Sequence, residues 1–379
     1  MLRIGITGQS GFIGTHLLNT LSLCPDKYSI VPFTREYFSI KAKLNSFVSR
    51  CDIIVHLAAL TRHNPPELIY QQNIALVDGL IQATEQTNSS PCIIFASSIQ
   101  EESASIYGKS KRVGRELFEK WAIKNNASFT SLIIPNVFGP FGDVHFNSVI
   151  ATFCHQLTHI ETPKIDIDGE MKLIYVAELI KEIIELVNQV SSQKPSVKMI
   201  TVPHTSQIKV SELLKILTEF KTGYFEKGEI PAIDQLFQRN LFNTFLTYID
   251  HTSFFPFLLK SHPDQRGNFT EIAKFNSGGQ VCFSTTVPGK TRGNHFHTRK
   301  AERFIIIKGK AIVQLRRIGT SNVLNFEFSS DQLAFIDIPI WFTHNITNIG
   351  DEDLYTIFRV NEFFDSSDPD IYFQDVICS

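Results

Sequence analysis

The stretch TGQSGFIG, residues 7–14, decides the fold of the first half of this chain. It follows the apolar run Leu2–Thr7 and opens an amphipathic segment, so it joins a predicted strand to a predicted helix. In that context Gly8 permits a tight turn, Gly11 lets the backbone approach a pyrophosphate, and Gly14 allows close helix packing. The start of the helix offers N–H groups and the positive end of a dipole to phosphates. The stretch therefore predicts a dinucleotide site with the members Thr7, Gly8, Gly11, Phe12, Ile13 and Gly14.

Strand-like and helical patterns alternate outward from this stretch. The predicted strands are Leu2–Thr7, Ser29–Phe33, Ile53–Leu57, Ile93–Ala96 and Phe129–Ile134. The predicted helices between them include Ile13–Leu21, Asn73–Gln86 and Tyr107–Ala127. Alternation at this spacing indicates βαβ units and therefore an α/β, Rossmann-like, doubly wound parallel sheet.

The pattern changes from about residue 270, where short strands separated by tight turns begin. The predicted strands are Gln280–Thr286, Glu302–Lys308, Ala311–Arg316, Leu333–Asp337 and Leu354–Val360. Evenly spaced short strands of this kind favour an all-β jelly roll. The preceding helical region carries no motif, and we assign Val210–Lys221 to a helix that closes the first domain. We therefore predict two domains, 1–244 and 245–379.

Composition excludes several classes of protein. The chain has 379 residues, of which 43% are hydrophobic and 20% charged, with a formal net charge of -2, which is typical of a soluble two-domain protein. No bulk basic surface for nucleic acid is expected, and no apolar run reaches the roughly 18 residues of a membrane span. The N-terminus has no signal-peptide pattern, and the six cysteines are scattered without a CxxC pair. We expect a cytoplasmic protein with reduced thiols and no membrane or nucleic-acid partner.

Several further segments resemble the extended short-chain dehydrogenase/reductase family, whose members mostly act on nucleotide sugars. The glycine spacing GxxGxxG agrees with it, as do HLAA at 56–59, NVFGP at 136–140 and YVAE at 175–178. Asn73 falls in a segment similar to a helix of that family. The resemblance covers about residues 1–240. It implies that Leu57, Ala58, Ala59 and Asn73 contact the cofactor and that Asn136 contacts the substrate.

The end of the second strand distinguishes between the two nicotinamide cofactors. An NAD enzyme places an acidic residue there for the ribose hydroxyls, whereas this chain has Thr34 and Arg35. A guanidinium suits a 2′-phosphate, so NADPH is favoured, with both residues in the cofactor site. The alternative is that Arg35 is a solvated surface residue.

Tyr107 and Lys111 stand four residues apart at the start of a predicted helix, so both project from one face. In the resembled family a tyrosine gives a proton to the carbonyl oxygen as hydride arrives, and a nearby ammonium lowers the phenol pKa and contacts the cofactor. Ser98 aligns with the family's catalytic serine, and Ser97 is the alternative by one position. A Tyr-x-x-x-Lys pair can also be an ordinary surface pair. In this order of motifs, however, it predicts a reductase.

The second half carries a two-part cupin motif. Its first part is Gly289, His295, His297, Glu302 and Gly309, and its second part is Pro339, His344 and Asn348. Leu333 and Trp341 replace the glycines of the second part. Three imidazoles and one carboxylate that converge inside a barrel suit Zn²⁺, Ni²⁺, Fe²⁺ or Mn²⁺. We predict that His295, His297, Glu302 and His344 hold a metal. The alternative is a metal-free cupin whose histidines act as base and anchor.

The segment DQRGNF, residues 264–269, resembles deoxysugar epimerases of the dTDP-4-dehydrorhamnose 3,5-epimerase type. That resemblance implies that Arg266 helps to hold the nucleotide phosphates, and the alternative is a salt bridge in a turn. If all three histidines bind metal, the epimerase base must be another residue. Lys290, just before the motif, is a candidate that would lie near the substrate.

The whole chain resembles bifunctional C3-epimerase/C4-reductases of capsular polysaccharide biosynthesis, on the route to UDP-N-acetyl-L-fucosamine. These enzymes are homodimers with an NADPH reductase and a zinc cupin, and they make UDP-2-acetamido-2,6-dideoxytalose from a UDP-4-keto-hexulose. Two alternatives stay open: a reductase for another 4-keto or 4-amino nucleotide sugar, and a cupin that only binds metal or dimerises. A purely regulatory NAD(P)-sensing protein is disfavoured because it would not need Tyr107 and Lys111.

Overall fold

The structure of the protein is a computed structural model that describes residues 1–144, 148–190, 195–259, 261–264, 267–270 and 278–377. Contacts divide the chain into two compact units. The first comprises Met1–Val149 and Asp168–Val210, and the second comprises Ile150–Ile167 and the residues from Ser211 onward. No helix among the described residues is long and apolar enough to cross a membrane.

A parallel sheet forms the centre of the first unit. The strands of this unit are β1 (Leu2–Thr7), β2 (Tyr28–Val31), β3 (Ile53–His56), β4 (Cys92–Ser98), β5 (Phe129–Ile134), β6 (Asn136–Phe138), β7 (Glu170–Tyr175), β8 (Val197–Thr201) and β9 (Ser206–Lys209). Six of them pair in parallel in the order β2-β1-β3-β4-β5-β8. Strand β3 reads IIVH and is buried throughout, as expected where helices cover both faces of a sheet. The predicted doubly wound fold is confirmed.

Helices cover both faces of this sheet. The helices of the described chain are α1 (Phe12–Ser22), α2 (Lys41–Arg50), α3 (Glu67–Thr87), α4 (Ile106–Asn125), α5 (Val149–Thr158), α6 (Val176–Val190), α7 (Val210–Phe220), α8 (Leu236–Leu246) and α9 (His251–Phe254). Leu17 of α1 and Leu179 of α6 belong to one hydrophobic core. Phe47 of α2 and Phe118 of α4 belong to the other. A small sheet in the order β6-β7-β9 continues from the end of β5.

The second unit is mainly antiparallel. Its strands are β10 (Phe257–Leu258), β11 (Ser261–Asp264), β12 (Gly267–Thr270), β13 (Gln280–Thr286), β14 (Thr291–Phe296), β15 (Glu302–Lys308), β16 (Lys310–Arg317), β17 (Val323–Ser329), β18 (Ala334–Ile338), β19 (Phe342–Asn348), β20 (Leu354–Val360) and β21 (Tyr372–Phe373). Within the described residues they form the sheets β10-β18-β15-β20-β13 and β17-β16-β19-β14-β21 and the hairpin β11-β12. Two antiparallel sheets of five strands are what the predicted cupin-like jelly roll requires.

The helical segment 211–244 lies in the second compact unit, whereas the sequence analysis placed it in the first domain. A buried polar network accounts for this difference. Arg303 pairs with Asp337 through two contacts of 2.8 Å and donates to the carbonyl of Gly228, also at 2.8 Å. The hydroxyl of Tyr224 donates to Asp337. Buried charges must be paired and hydrogen-bonded, so this segment completes the environment of a pair that local periodicity cannot show.

Candidate functional sites

The glycine stretch forms a turn with very little free space. Gly8 has φ +76°, and a Cβ there would lie 2.7 Å from the backbone nitrogen of Ala58. A Cβ at Gly14 would lie 2.1 Å from the carbonyl oxygen of Gly8. Gly11 is the N-cap of α1, and no side chain caps that helix end. The turn therefore presents bare backbone and an uncapped helix N-terminus, which fit the pyrophosphate of a dinucleotide.

A cavity of about 390 Å³ opens beside this turn. Its lining is Gly8, Gly11, Phe12, Ile13, Gly14, Leu57, Ala59, Thr61, Ala96, Ser97, Ser98, Gln100, Tyr107, Lys111, Ile134, Pro135, Asn136, Val137, Gly142, Asp143 and Ser148. The cavity thus brings together the glycine turn, the end of the HLAA strand, the predicted catalytic residues and Asn136. These groups are far apart in the sequence, and the carboxyl ends of the parallel strands gather them.

Five residues of the predicted cofactor site are not in the lining of the cavity: Thr7, Thr34, Arg35, Ala58 and Asn73. Thr7 is buried, and its hydroxyl contacts Nδ1 of His56 at 2.6 Å. Asn73 is also buried; its carboxamide bonds both backbone groups of Leu60 at 2.7 and 2.9 Å and the hydroxyl of Ser110 at 2.9 Å. Thr34 and Arg35 are exposed where a short 3₁₀ helix begins. Asn73 therefore ties the loop after β3 to α4, and its polar atoms are engaged within the protein.

Lys111 and Tyr107 lie on the first turns of α4, which begins beside the cavity. The Lys111 ammonium donates to the carbonyl of Ala96 at 2.7 Å and lies 5.7 Å from the centroid of the Tyr107 ring. Burial lowers the pKa of Lys111 to about 8, and the charge of Glu101 opposes that effect. Burial raises the pKa of Tyr107 to about 12, whereas the sequence analysis expected Lys111 to lower it. Without bound cofactor the phenol is therefore held protonated, which is the form that a proton donor needs.

The two candidate serines differ in their bonding. Ser97 is buried, and its hydroxyl donates to the carboxylate of Glu101. Ser98 accepts a hydrogen bond from the backbone nitrogen of Gln100 at 3.2 Å, which leaves its own hydroxyl proton for another acceptor. The geometry favours Ser98 over Ser97 as the group that would bind a substrate carbonyl.

Sequence reasoning missed Glu101. This glutamate is buried. Its Oε2 accepts a hydrogen bond from Nε of Arg115 at 3.0 Å, and its Oε1 accepts one from the Ser97 hydroxyl. It lies in a 3₁₀ turn between β4 and α4, so it joins the strand that carries the serines to the helix that carries Tyr107. An isolated acidic residue in a turn gives no motif, and only its position between Ser98 and Tyr107 could have suggested a role.

The four predicted metal ligands converge in the second unit. One ligand atom from each of His295, His297, Glu302 and His344 lies within 4.8 Å of the others. His295 is on β14, His344 on β19 and Glu302 on β15, so both sheets contribute. A bulge in β14 at Gly293 shifts the register just before His295.

Side-chain chemistry at this cluster fits a divalent cation. Nε2 of His297 and Nε2 of His344 lie 3.3 and 3.0 Å from Oε2 of Glu302, yet all three atoms are buried without a hydrogen-bonding partner. Burial lowers the pKa of His295 to about 4, so this imidazole is neutral at pH 7. Burial alone would raise the pKa of Glu302, but the two imidazoles hold it well below its usual range. The Glu302 carboxylate raises the pKa of His297, so a cation at the centre would compete with a proton there. Imidazoles and a carboxylate with buried, unsatisfied lone pairs are the ligands that zinc and similar ions prefer.

The other two predicted residues of this half are Arg266 and Lys290. Arg266 lies outside the described residues. Lys290 is exposed in the turn before β14, five residues from His295. The assignment of Lys290 to the substrate site stays a prediction.

Comparisons with known proteins agree with this arrangement. Residues 4–200 match the NAD dependent epimerase/dehydratase family, and residues 262–372 match the polysaccharide biosynthesis C-terminal domain. A UDP-2-acetamido-2,6-beta-L-arabino-hexul-4-ose reductase from Pseudomonas aeruginosa is 32% identical over 98% of both chains. The crystal structure of the capsular polysaccharide assembling protein CapF from Staphylococcus aureus is 32% identical, covers 99% of this chain and 100% of its own, and has a TM-score of 0.63.

A more distant structure supports the fold of the first unit alone. RMD from Pseudomonas aeruginosa, complexed with NADPH, is 21% identical, covers 59% of this chain and 83% of its own, and has a TM-score of 0.51. The epimerase/dehydratase family match spans the residues of the glycine-turn cavity, and the full-length matches also span the His/Glu cluster. The chain therefore belongs to the NAD dependent epimerase/dehydratase family and, over its whole length, to the group of proteins that contains CapF and the Pseudomonas hexulose reductase.

Proposed function

We propose that the protein is a bifunctional enzyme that epimerises carbon 3 of a UDP-2-acetamido-2,6-dideoxy-4-hexulose and then reduces its 4-keto group with NADPH. The product would be UDP-2-acetamido-2,6-dideoxytalose, for capsule or O-antigen synthesis. The observation that carries the proposal is the full-length likeness to a hexulose reductase in a chain that has both the glycine-turn cavity and the His/Glu cluster.

Reduction is assigned to the first unit. When bound along the glycine turn, NADPH supplies the hydride. Ser98 holds the 4-keto oxygen by donating a hydrogen bond, and Tyr107 gives that oxygen a proton as negative charge develops on it. Lys111 stabilises the resulting phenolate by its positive charge. The high pKa of Tyr107 keeps the phenol loaded with its proton before reaction.

Epimerisation is assigned to the His/Glu cluster of the second unit. A 4-keto group acidifies the proton on carbon 3, so a base can remove it and the other face can be reprotonated. We propose zinc as the ion that His295, His297, Glu302 and His344 hold, and its Lewis acidity would favour the enolate. Lys290, in the turn before β14, is the candidate for the base.

The preference for NADPH is proposed from the end of β2. Thr34 and Arg35 follow it and are exposed, and the guanidinium of Arg35 is the group that suits a 2′-phosphate. Substitution of Arg35 by Ala should reduce kcat/KM for NADPH by about tenfold, the loss of one charge-assisted contact, while kcat/KM for NADH changes little. Equal losses for both cofactors would argue that Arg35 serves another purpose.

One experiment tests both activities. The protein is incubated with NADPH and the UDP-4-hexulose in deuterated water, with nicotinamide absorbance and the NMR spectrum of the product as readouts. Oxidation of NADPH with deuterium at carbon 3 is the expected result. Oxidation without deuterium would keep the reductase and reject the epimerase, in favour of a cupin that only binds metal or dimerises. No oxidation of NADPH, with the sugar intact, would reject this substrate class.

We propose a homodimer that works in the cytoplasm on soluble UDP-sugars, with neither nucleic acid nor membrane as a partner. The family resemblance supports the dimer, and the net charge of -2 together with the absence of an apolar span in the sequence supports the rest. Sedimentation of the purified protein measures the oligomeric state.

A further inference from the structure

Asp370 is a buried carboxylate that holds the loop following the first two predicted metal ligands. Its side chain accepts hydrogen bonds from the backbone nitrogens of Thr298 at 3.0 Å, Arg299 at 3.0 Å and Lys300 at 3.1 Å. The hydroxyl of Thr298 donates to the same carboxylate at 2.6 Å. Four donors on one carboxylate make a strong clamp, because bonds to an ionised acceptor are about twice as strong as neutral ones.

The backbone of the same residue contacts a metal ligand directly. Nδ1 of His297 lies 2.5 Å from the carbonyl oxygen of Asp370, and both residues are buried. Asp370 has φ 49°, a left-handed conformation that is uncommon for residues other than glycine and asparagine. That conformation lets one residue present its carboxylate to residues 298–300 and its carbonyl to His297.

The carbonyl contact fixes the state of the His297 ring. A carbonyl oxygen only accepts, so Nδ1 must carry the proton and donate it. In the neutral ring, which is the form that binds a metal, Nε2 is then the nitrogen that carries the lone pair, and it lies 3.3 Å from Oε2 of Glu302 at the centre of the cluster. The corresponding contact of His344, from Nδ1 to the carbonyl of Phe342, is 3.4 Å long. The contact that orients the ring of His297 is therefore much shorter than the one that orients the ring of His344.

We propose that Asp370 is a positioning residue for the metal cluster, clamping the loop at 298–300 with its carboxylate and setting the tautomer and orientation of His297 with its carbonyl. The inference rests on the proposed metal site and deepens it. Groups that hydrogen-bond metal-bound histidines in this way change metal affinity by about 10–100-fold. Asp370 lies 68 residues after Glu302 in the sequence, outside the cupin motif.

The test compares Asp370→Ala and Asp370→Asn with a matched control, Asp368→Asn. The Asp368 carboxylate pairs with the side chain of Arg299 at 2.8 Å but does not contact the loop backbone, so it shares the region and the charge. Zinc affinity is measured by competition with a chelator, and the tautomer of His297 by NMR of ¹⁵N-labelled, metal-free protein. We expect zinc binding about 10–100-fold weaker for Asp370→Ala, a smaller loss for Asp370→Asn and no change for Asp368→Asn.

A milder variant guards against loss of folding. Thr298→Val removes one of the four donors to Asp370, so it should weaken zinc binding by no more than a few fold while the fold is kept. A mixed tautomer of His297 in the Asp370 variants would support the proposal. Wild-type zinc affinity and an unchanged tautomer in the Asp370 and Thr298 variants would overturn it. Failure of the wild-type protein to bind zinc would instead reject the metal site itself.

Discussion

The two candidate sites differ in composition: backbone groups form much of the first, and side chains form the second. In the first unit, bare backbone at Gly8 and Gly14 and an uncapped helix end surround a cavity of about 390 Å³. In the second unit, four side chains converge within 4.8 Å, and three of their polar atoms are buried without a hydrogen-bonding partner. A backbone site can stay empty at little cost because water can solvate it. A cluster of buried lone pairs is costly until an ion or protons satisfy them.

This difference predicts different responses to damage. Loss of a catalytic side chain at the first site should stop chemistry without unfolding the unit. Loss of a ligand at the second site should change metal binding and stability together.

Tyr107→Phe should reduce NADPH oxidation by about 10²–10⁴-fold, because the proton donor to the keto oxygen is removed. Deuterium incorporation at carbon 3 should stay unchanged, since that step is assigned to the other unit. Steady-state absorbance and NMR of the product measure the two effects. Tyr70→Phe removes a phenol hydroxyl from the same unit and serves as the control. Loss of both activities in Tyr107→Phe alone would mean that the two sites are not separable.

Glu302→Gln should weaken zinc binding by more than the roughly 10–100-fold cost of disturbing a supporting hydrogen bond, because it removes the only carboxylate among the four ligands. Deuterium incorporation should be lost and the zinc-dependent gain in Tm should vanish, while NADPH binding persists. Chelator competition and thermal unfolding with and without zinc are the measurements. The exposed Glu327→Gln is the control. If Glu302→Gln gains the same Tm on zinc addition as the wild type, the cluster is not the metal site.

Gly14→Ala should destabilise the first unit by about 1–3 kcal/mol and impair NADPH binding, because the new Cβ would lie 2.1 Å from the carbonyl of Gly8. Gly79→Ala, in the middle of α3, is the control, because the same substitution there has room for the new Cβ. Its Cβ would lie 3.6 Å from Leu44, an ordinary contact, so it should stabilise by about 0.4–1 kcal/mol. Denaturant unfolding and NADPH fluorescence distinguish them. Similar behaviour of the two variants would refute a site built from backbone.

Glu101→Gln should move the alkaline limb of kcat against pH downward by about one pH unit. The groups that face Lys111 are Glu101, Tyr107 and the buried His56, whose pKa burial lowers to about 3, so Glu101 supplies the negative charge. Removing that charge lowers the pKa of Lys111 further below about 8, so the ammonium is lost at lower pH. Glu102→Gln changes an exposed neighbour and should leave the profile unmoved. A uniform fall in kcat without a pH shift would assign Glu101 a purely structural role.

Sequence reasoning was most successful where a function demands a short, local pattern. The glycine turn and the Tyr107–Lys111 pair line one cavity. The four predicted ligands of the cupin motif converge in the second unit. The physical reason is that helix and strand periodicity fixes which side chains share a face.

The features that sequence reasoning missed depend on contacts between distant segments. Glu101 and Asp370 belong to no motif, and their importance is visible only when Arg115 or His297 is seen beside them. The assignment of residues 211–244 to the second compact unit depends on Tyr224 meeting Asp337, which lies 113 residues later. The pKa of Tyr107 was expected to fall, but burial in the folded chain raises it.

The buried network of Arg303, Asp337 and Tyr224 has a practical consequence for dissecting this enzyme. A fragment that starts at residue 245 would lose the Tyr224 hydroxyl and the Gly228 carbonyl, and the guanidinium of Arg303 would keep only its bonds to Asp337. Such a fragment would carry an under-satisfied charge at its centre and should aggregate or unfold. Severing the chain near residue 210 instead keeps that hydrogen-bonded set intact. The segment 211–244 is therefore a structural part of the second unit and not a linker that can be discarded.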